Sequence, residues 1–129
     1  MPVQKPFKLK SQIPYEQDIQ KSILTQLAYH PLVAWCGRIN SGAAMLPCGR
    51  GKMRPVKFNT IKGCSDIIGQ LRDGRFLAIE VKRPPWTRPT DDHEREQERF
   101  LVQVVAAGGI AFFATSIDDV TRKLSQSLG

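Results

Sequence analysis

Residues 76–82, Phe76-Leu77-Ala78-Ile79-Glu80-Val81-Lys82, form an apolar run that carries a carboxylate and an ammonium two residues apart near its end. Successive strand side chains point to opposite faces, so Glu80 and Lys82 share one face while Leu77, Ile79 and Val81 occupy the other. Phe76 and Ala78, on the Glu80 face, are apolar as well. The pattern therefore predicts a strand covered on both sides, as in folds with helices above and below a sheet. A surface ion pair is the plain alternative for Glu80 and Lys82. Charges under a covering layer instead need partners or a metal.

The rest of the chain supplies such layers. Ile19, Ile23, Leu24 and Leu27 recur at helical spacing from Pro14 to about Tyr29. Leu32 to about Asn40 reads as a strand, and Gly42 to Lys57, punctuated by Gly and Pro, as a long loop or irregular hairpin. Two strands, about Ser65 to Leu71 and Arg75 to Lys82, flank Asp73-Gly74. Pro84, Pro85 and Pro89 make Arg83 to Thr90 a connection. Asp91 with Glu94 marks a helix start, Phe100, Leu101, Val104 and Val105 form its apolar stripe, and Gly108-Gly109 ends it. Ile110 to Ala114 is a short strand and Asp118 to Leu124 a closing helix. The expected class is α/β, order αβββαβα, with a mixed central sheet flanked by helices.

At 129 residues such a chain buries roughly two-thirds of its unfolded surface. One domain over residues 14–129 is expected, behind a basic N-terminal arm at 1–13. No apolar run approaches the roughly 20 residues of a membrane span, and the N-terminus lacks a signal-peptide core. A cytoplasmic protein with no membrane partner is expected. Cys36, Cys48 and Cys64 lack the spacing of a disulfide framework or zinc site. The net charge of +7 is unevenly placed: residues 1–90 hold 15 Lys/Arg against 5 Asp/Glu, and residues 91–129 hold 4 against 7. That balance favours a polyanionic partner such as DNA.

Two helices aim polar groups at the core side. Glu16 falls near the middle of the Ile19/Ile23/Leu27 stripe, and Gln97 among Phe100, Leu101 and Val104. A carboxylate there costs several kcal/mol unless paired, protonated or metal-linked. Asp66 joins Glu80 only in one register. A two-residue Asp73-Gly74 turn pairs Asp66 with Val81; a three-residue loop, Arg72-Asp73-Gly74 with Gly74 left-handed, sets Asp66 opposite Glu80. The second register is expected, and with it Glu16, Asp66, Glu80, Lys82 and Gln97 converge at one end of the sheet. Paired carboxylates of this kind suit Mg²⁺, which takes one or two carboxylates and keeps several waters.

Asp66 followed by Glu80-Val81-Lys82 on adjacent strands, after an acidic helix, resembles the PD-(D/E)XK nuclease superfamily, and within it the VRR-NUC family. The similar segments are Arg38-Ile39-Asn40-Ser41-Gly42, Gly63 to Gly69, Gly74 to Pro84, and Gln97 with Phe100-Leu101 before Gly108-Gly109, over about Glu16 to Val120. Ser65 stands where the superfamily has its eponymous proline. The resemblance implies a restriction-endonuclease-like core, with Asp66, Glu80 and the Val81 carbonyl as ligands of Mg²⁺ (Mn²⁺ substituting) and Glu16 as a further candidate. It implies Lys82 as the water-positioning group, with Glu16 and Gln97 in support. It also implies a phage or prophage type similar to Holliday-junction resolvases, acting as a homodimer on branched DNA in the bacterial or infected-host cytosol.

The expected function is metal-dependent endonucleolytic hydrolysis of DNA, on four-way junctions. The alternatives are the same chemistry on flaps, nicked or specific duplex DNA, and a non-catalytic nucleic-acid-binding protein of the same fold. Arg38, Asn40, Arg50, Lys52, Arg54, Lys57, Lys62, Arg83 and Trp86 are candidate DNA contacts. Trp86 serves equally as a loop anchor, and Trp35 reads as a packing residue. His93 reads as a helix-end histidine.

Overall fold

The computed structural model describes residues 13–39, 42–57 and 59–128. Asn40 and residues 1–12 of the expected arm lie outside them. The elements are α1 (Glu16–Ala28), β1 (Val33–Arg38), β2 (Ala43–Pro47), β3 (Met53–Lys57), β4 (Ile67–Leu71), β5 (Phe76–Val81), α2 (Asp92–Ala106), β6 (Ile110–Ala114) and α3 (Ile117–Leu128). Four strands make a mixed sheet in the order β1-β4-β5-β6. The β1/β4 and β4/β5 pairs are antiparallel and β5/β6 is parallel. The stretch 42–57, expected as a long loop or irregular hairpin, is a regular antiparallel hairpin, β2 with β3, forming its own two-stranded sheet. No helix among the described residues is long and apolar enough to cross a membrane.

The core lies on one face of the sheet. Ile19, Ile23 and Leu27 of α1 and Val120 and Leu124 of α3 pack with Ile67, Leu71, Leu77, Ile79 and Val81. Leu77, Ile79 and Val81 are fully buried, as alternation in β5 requires. Helix α2 covers the opposite face, where Ala78 and Glu80 lie under Gln97 and Leu101; all four are buried.

Helix α2 begins where its capping residues put it. The Asp91 carboxylate accepts from the Glu94 N–H at 2.7 Å, and the Glu94 carboxylate reaches back to the N–H and hydroxyl of Thr90 at 3.2 and 3.1 Å. The return bond lands one residue before the N-cap, a shifted capping box. Val105, expected on the buried stripe, is 53% exposed, as is neighbouring Val102 at 60%. The sheet ends at β6, so this side of α2 overhangs an open edge with no strand beneath it. Trp35, expected to pack, sits on the other edge strand and is 48% exposed, its indole N–H on Gln70.

The β4–β5 turn sets the position of the carboxylates. Ile67 pairs with Ile79 and Gln70 with Phe76, and the Leu71 N–H closes on the Arg75 carbonyl at 2.8 Å. Arg72, Asp73 and Gly74 thus form the three-residue loop, with Gly74 at φ +97°, a conformation costly to other residues. Asp73 caps it, accepting from the Arg75 backbone and guanidinium. Carried one pair beyond Ile67 and Ile79, the register sets Asp66 across from Glu80.

Candidate active site

Glu80 is 2% exposed, and both its oxygens are engaged. One accepts from the Asp66 backbone N–H at 3.1 Å, the other from the Gln97 side-chain amide at 2.8 Å. Asp66 returns the contact by accepting from the Val81 N–H at 2.9 Å. Each carboxylate is thus held by backbone of the other's neighbourhood, which fixes two like charges side by side. Burial, then the Asp66 charge and a hydrogen bond with the Asp66 carboxyl, push the Glu80 carboxyl up to about 9, against the opposing pull of Lys82. Glu16 is raised as well, by burial first and then by Asp66, with Lys82 again opposing.

Gln97 links this pair to the ammonium. Its carbonyl oxygen accepts from Lys82 Nζ at 2.7 Å while its NH₂ donates to Glu80. With the donor-only ammonium on its carbonyl oxygen, the amide has one orientation that leaves its NH₂ for Glu80. Lys82 also pairs with Glu94 at 3.6 Å, both side chains 12% exposed. Glu94 in turn accepts from the Trp86 indole N–H. Burial acting to raise the Glu94 carboxyl is outweighed by its bonds to Trp86 and Thr90 and by Lys82, so its pKa is lowered. The result is a continuous polar chain, Asp66, Glu80, Gln97, Lys82, Glu94, Trp86, across β4, β5, α2 and the loop between them.

These groups open into a cleft of about 670 Å³ lined by Glu16, Asp66, Glu80, Lys82, His93, Glu96 and Gln97, and by Gly42, Ala43 and Lys57 at the base of the hairpin. The cleft's back wall depends on Gly63. At φ +70°, a Cβ there would lie 2.3 Å from the Glu96 carbonyl oxygen, so only glycine lets the strand leading to Asp66 approach α2 this closely.

The five expected central residues, Glu16, Asp66, Glu80, Lys82 and Gln97, therefore line one cleft, with Val81 fully buried between two of them. The expected DNA contacts divide. Arg38, Arg50, Lys52, Arg54 and Lys57 are exposed at the end of β1 and on the hairpin. Lys62 is exposed beside the cleft and pairs with Glu96 at 3.1 Å. Arg83 is committed elsewhere: its guanidinium donates to the carbonyls of Pro14 and Ile13 at 3.0 and 2.9 Å and lies over the Tyr15 ring. Trp86 is a loop anchor, held by Glu94 and by Phe113, whose ring centroid is 4.5 Å away. Both fasten the 83–90 loop to the body of the protein.

Glu94 was legible as a cap and not as a site residue. Its signal was its place one turn before Gln97 on the same helix face.

No three or more His, Cys, Asp or Glu side chains group as a metal cluster among the described residues. The donor set that does assemble is smaller: two adjacent carboxyl groups, one driven toward its protonated form by burial and then by the other's charge. A hard cation would relieve that repulsion, and Mg²⁺, which needs few protein ligands, fits the pair better than an ion requiring a full protein cage. No protein-family model matches the sequence, and no curated protein matches it.

Proposed function

We propose that this protein is a Mg²⁺-dependent DNA endonuclease with a PD-(D/E)XK core, acting on branched DNA. The observation that supports the reading is the paired Asp66 and Glu80 carboxylates joined through Gln97 to Lys82, at the sheet end facing a basic hairpin. Asp66 and Glu80, with the Val81 carbonyl and Glu16 beside them, would hold the cation. Bound there, it supplies Lewis-acid polarisation of the scissile phosphate and acidifies the attacking water.

The chain's own residues do the rest. Gln97 fixes the Glu80 carboxylate on one side and the Lys82 ammonium on the other. Lys82 uses one N–H on Gln97 and retains donors to orient water and to offset charge growing on the phosphate oxygens. Glu94, itself fixed by Trp86 and Thr90, holds the ammonium at the cleft wall. The cations of the hairpin and of Lys62 bind backbone phosphates.

The test is incubation of labelled four-way junction, flap and linear duplex with Mg²⁺, Mn²⁺ or EDTA, with Asp66→Asn and Lys82→Ala as controls. The expected result is Mg²⁺-dependent incision of branched DNA by the parent alone. Incision in EDTA, or by both variants, overturns the mechanism; junction binding without incision under any condition favours a silent binder.

A further inference from the structure

The β2–β3 hairpin has two unlike faces. Residues opposite each other in an antiparallel pair share a face, so Ala43/Lys57, Met45/Pro55 and Pro47/Met53 form one of them. Every residue of that face is exposed, with Met45 at 56% and Met53 at 53%. On the other face Ala44 and Val56 are half-buried, and Leu46 and Arg54 toward the tip are exposed. The Met45/Met53 face is thus open along its length, and its Ala43/Lys57 end borders the carboxylate cleft. Lys57 stands on this same face, Arg54 on the opposite one, and Arg50 and Lys52 at the tip, with no acidic residue anywhere between positions 19 and 65. Arg50 adopts φ +51° between Gly49 and Gly51, so a side chain is kept at a turn position that favours glycine.

A polyanion suits this surface better than a second copy. A two-fold contact between hairpins would juxtapose each copy's cations with the other's, an arrangement that repels. DNA satisfies both parts: phosphates take the cations, and bases take the apolar face. Methionine and proline present no donors and only a weak sulfur acceptor, so they cannot read base edges in an intact groove. They can lie against base faces where stacking is broken, the use that minor-groove wedges make of the same residue types. The hairpin's base, Gly42, Ala43 and Lys57, lines the carboxylate cleft, so DNA held on the ribbon runs to Asp66 and Glu80.

We propose that the exposed Met45/Met53/Pro47/Pro55 face of the hairpin covers unstacked bases at a branch point and is the element that selects branched over intact DNA. The proposal rests on the DNA reading above and adds the determinant of its structural preference.

The test is binding of the full chain, in EDTA, to a labelled four-way junction and to a linear duplex of the same arm sequence. Met45→Ser/Met53→Ser is expected to lower the junction-to-duplex affinity ratio by about tenfold, the effect of losing one base–side-chain stack. Met45→Leu/Met53→Leu is expected to hold that ratio within about twofold. Lys52→Ala/Arg54→Ala is expected to weaken both substrates together and to flatten their salt dependence. An unchanged ratio in a serine variant that melts like the parent overturns the proposal. So does a parent without junction preference, a leucine variant that fails as the serine one does, or a serine variant that alters sedimentation while the ratio stands. Binding in EDTA needs no cleavage, so a protein that prefers junctions but cuts nothing overturns the nuclease reading alone. One that cuts, and whose preference survives the serine changes, overturns this proposal alone.

Discussion

The two faces of β5 are built from alternate residues of the same six, and they do opposite things. Toward α1 and α3, Leu77, Ile79 and Val81 are fully buried hydrocarbon that asks nothing of its neighbours except volume. Toward α2, Ala78 gives way to Glu80, which is as inaccessible as a core leucine and whose two oxygens accept from the Asp66 N–H and the Gln97 amide. The first face stabilises the fold at any pH. The second holds two carboxyl groups where one is pushed far above its ordinary range, a standing cost to the fold that the proposed cation would relieve.

The comparison breaks if the faces can be exchanged in their effects. Asp66→Asn should lower incision by about a thousandfold or more, equivalent to roughly 4 kcal/mol of barrier, since it removes half of the cation-holding pair. Its melting temperature should stay level, because an amide oxygen at this position can still accept from the Val81 N–H; single-turnover kinetics and thermal melts read the two quantities separately. Ile79→Ala should do the reverse. Deleting a fully buried side chain costs about 2–5 kcal/mol, seen as a lower urea midpoint, while the protein still folded at low temperature should cut at close to the parental rate. A large stability loss in the first variant, or a lost incision rate without a stability loss in the second, would mean that the faces are not separate.

pH sharpens the same contrast. Burial and the neighbouring Asp66 push the Glu80 carboxyl up to about 9 from an ordinary 4.5, so across that window the folded state binds a proton that the unfolded state has released. Stability is then fullest below about pH 4.5 as far as this group is concerned, and it declines as pH rises toward 9. Urea unfolding of the metal-free protein from pH 5 to 9 should show the decline, on the order of a few kcal/mol. Adding Mg²⁺ should offset it at the alkaline end, and Asp66→Asn should shrink the slope by removing the second cause of the shift. A stability that rises over this range without metal would sink the assignment of Glu80 as a buried, repelled carboxylate.

What the chain revealed in advance follows from how local each signal is. β5 was legible because alternation is a property of consecutive residues, and Gln97 because helical periodicity is nearly as local. The Asp66 register was legible through chemistry: a glycine at the one loop position needing positive φ, and a carboxylate with no other reason to begin a strand. The order of the main sheet's elements followed. The hairpin was less legible, since Pro47 and Pro55 lie in its strands and proline is tolerated there only at sheet edges, which a two-stranded ribbon has throughout. Exposure of Trp35 and Val105 depends on where the sheet stops, a global fact that no window of sequence contains. Arg83's loop contacts were hidden for another reason: an arginine that ties down a loop and one that waits for a phosphate look identical until the carbonyls of Ile13 and Pro14 are placed beside it.

The polar face of β5 also reaches further than its own residues, and the smallest test concerns that reach. Trp86 touches neither carboxylate, yet its indole N–H holds Glu94, and Glu94 sits 3.6 Å from the Lys82 ammonium. Trp86→Phe keeps an aromatic ring against Phe113 and removes the indole N–H together with part of the ring system. If Lys82 is positioned through this chain, the turnover rate should fall by about three- to tenfold, the scale of losing one outer hydrogen bond on a reacting group, with DNA affinity unchanged. Glu94→Gln should behave alike, because a neutral amide no longer opposes the ammonium. A change in affinity with the rate intact would instead make Trp86 a DNA contact, and the polar face would then end at Lys82.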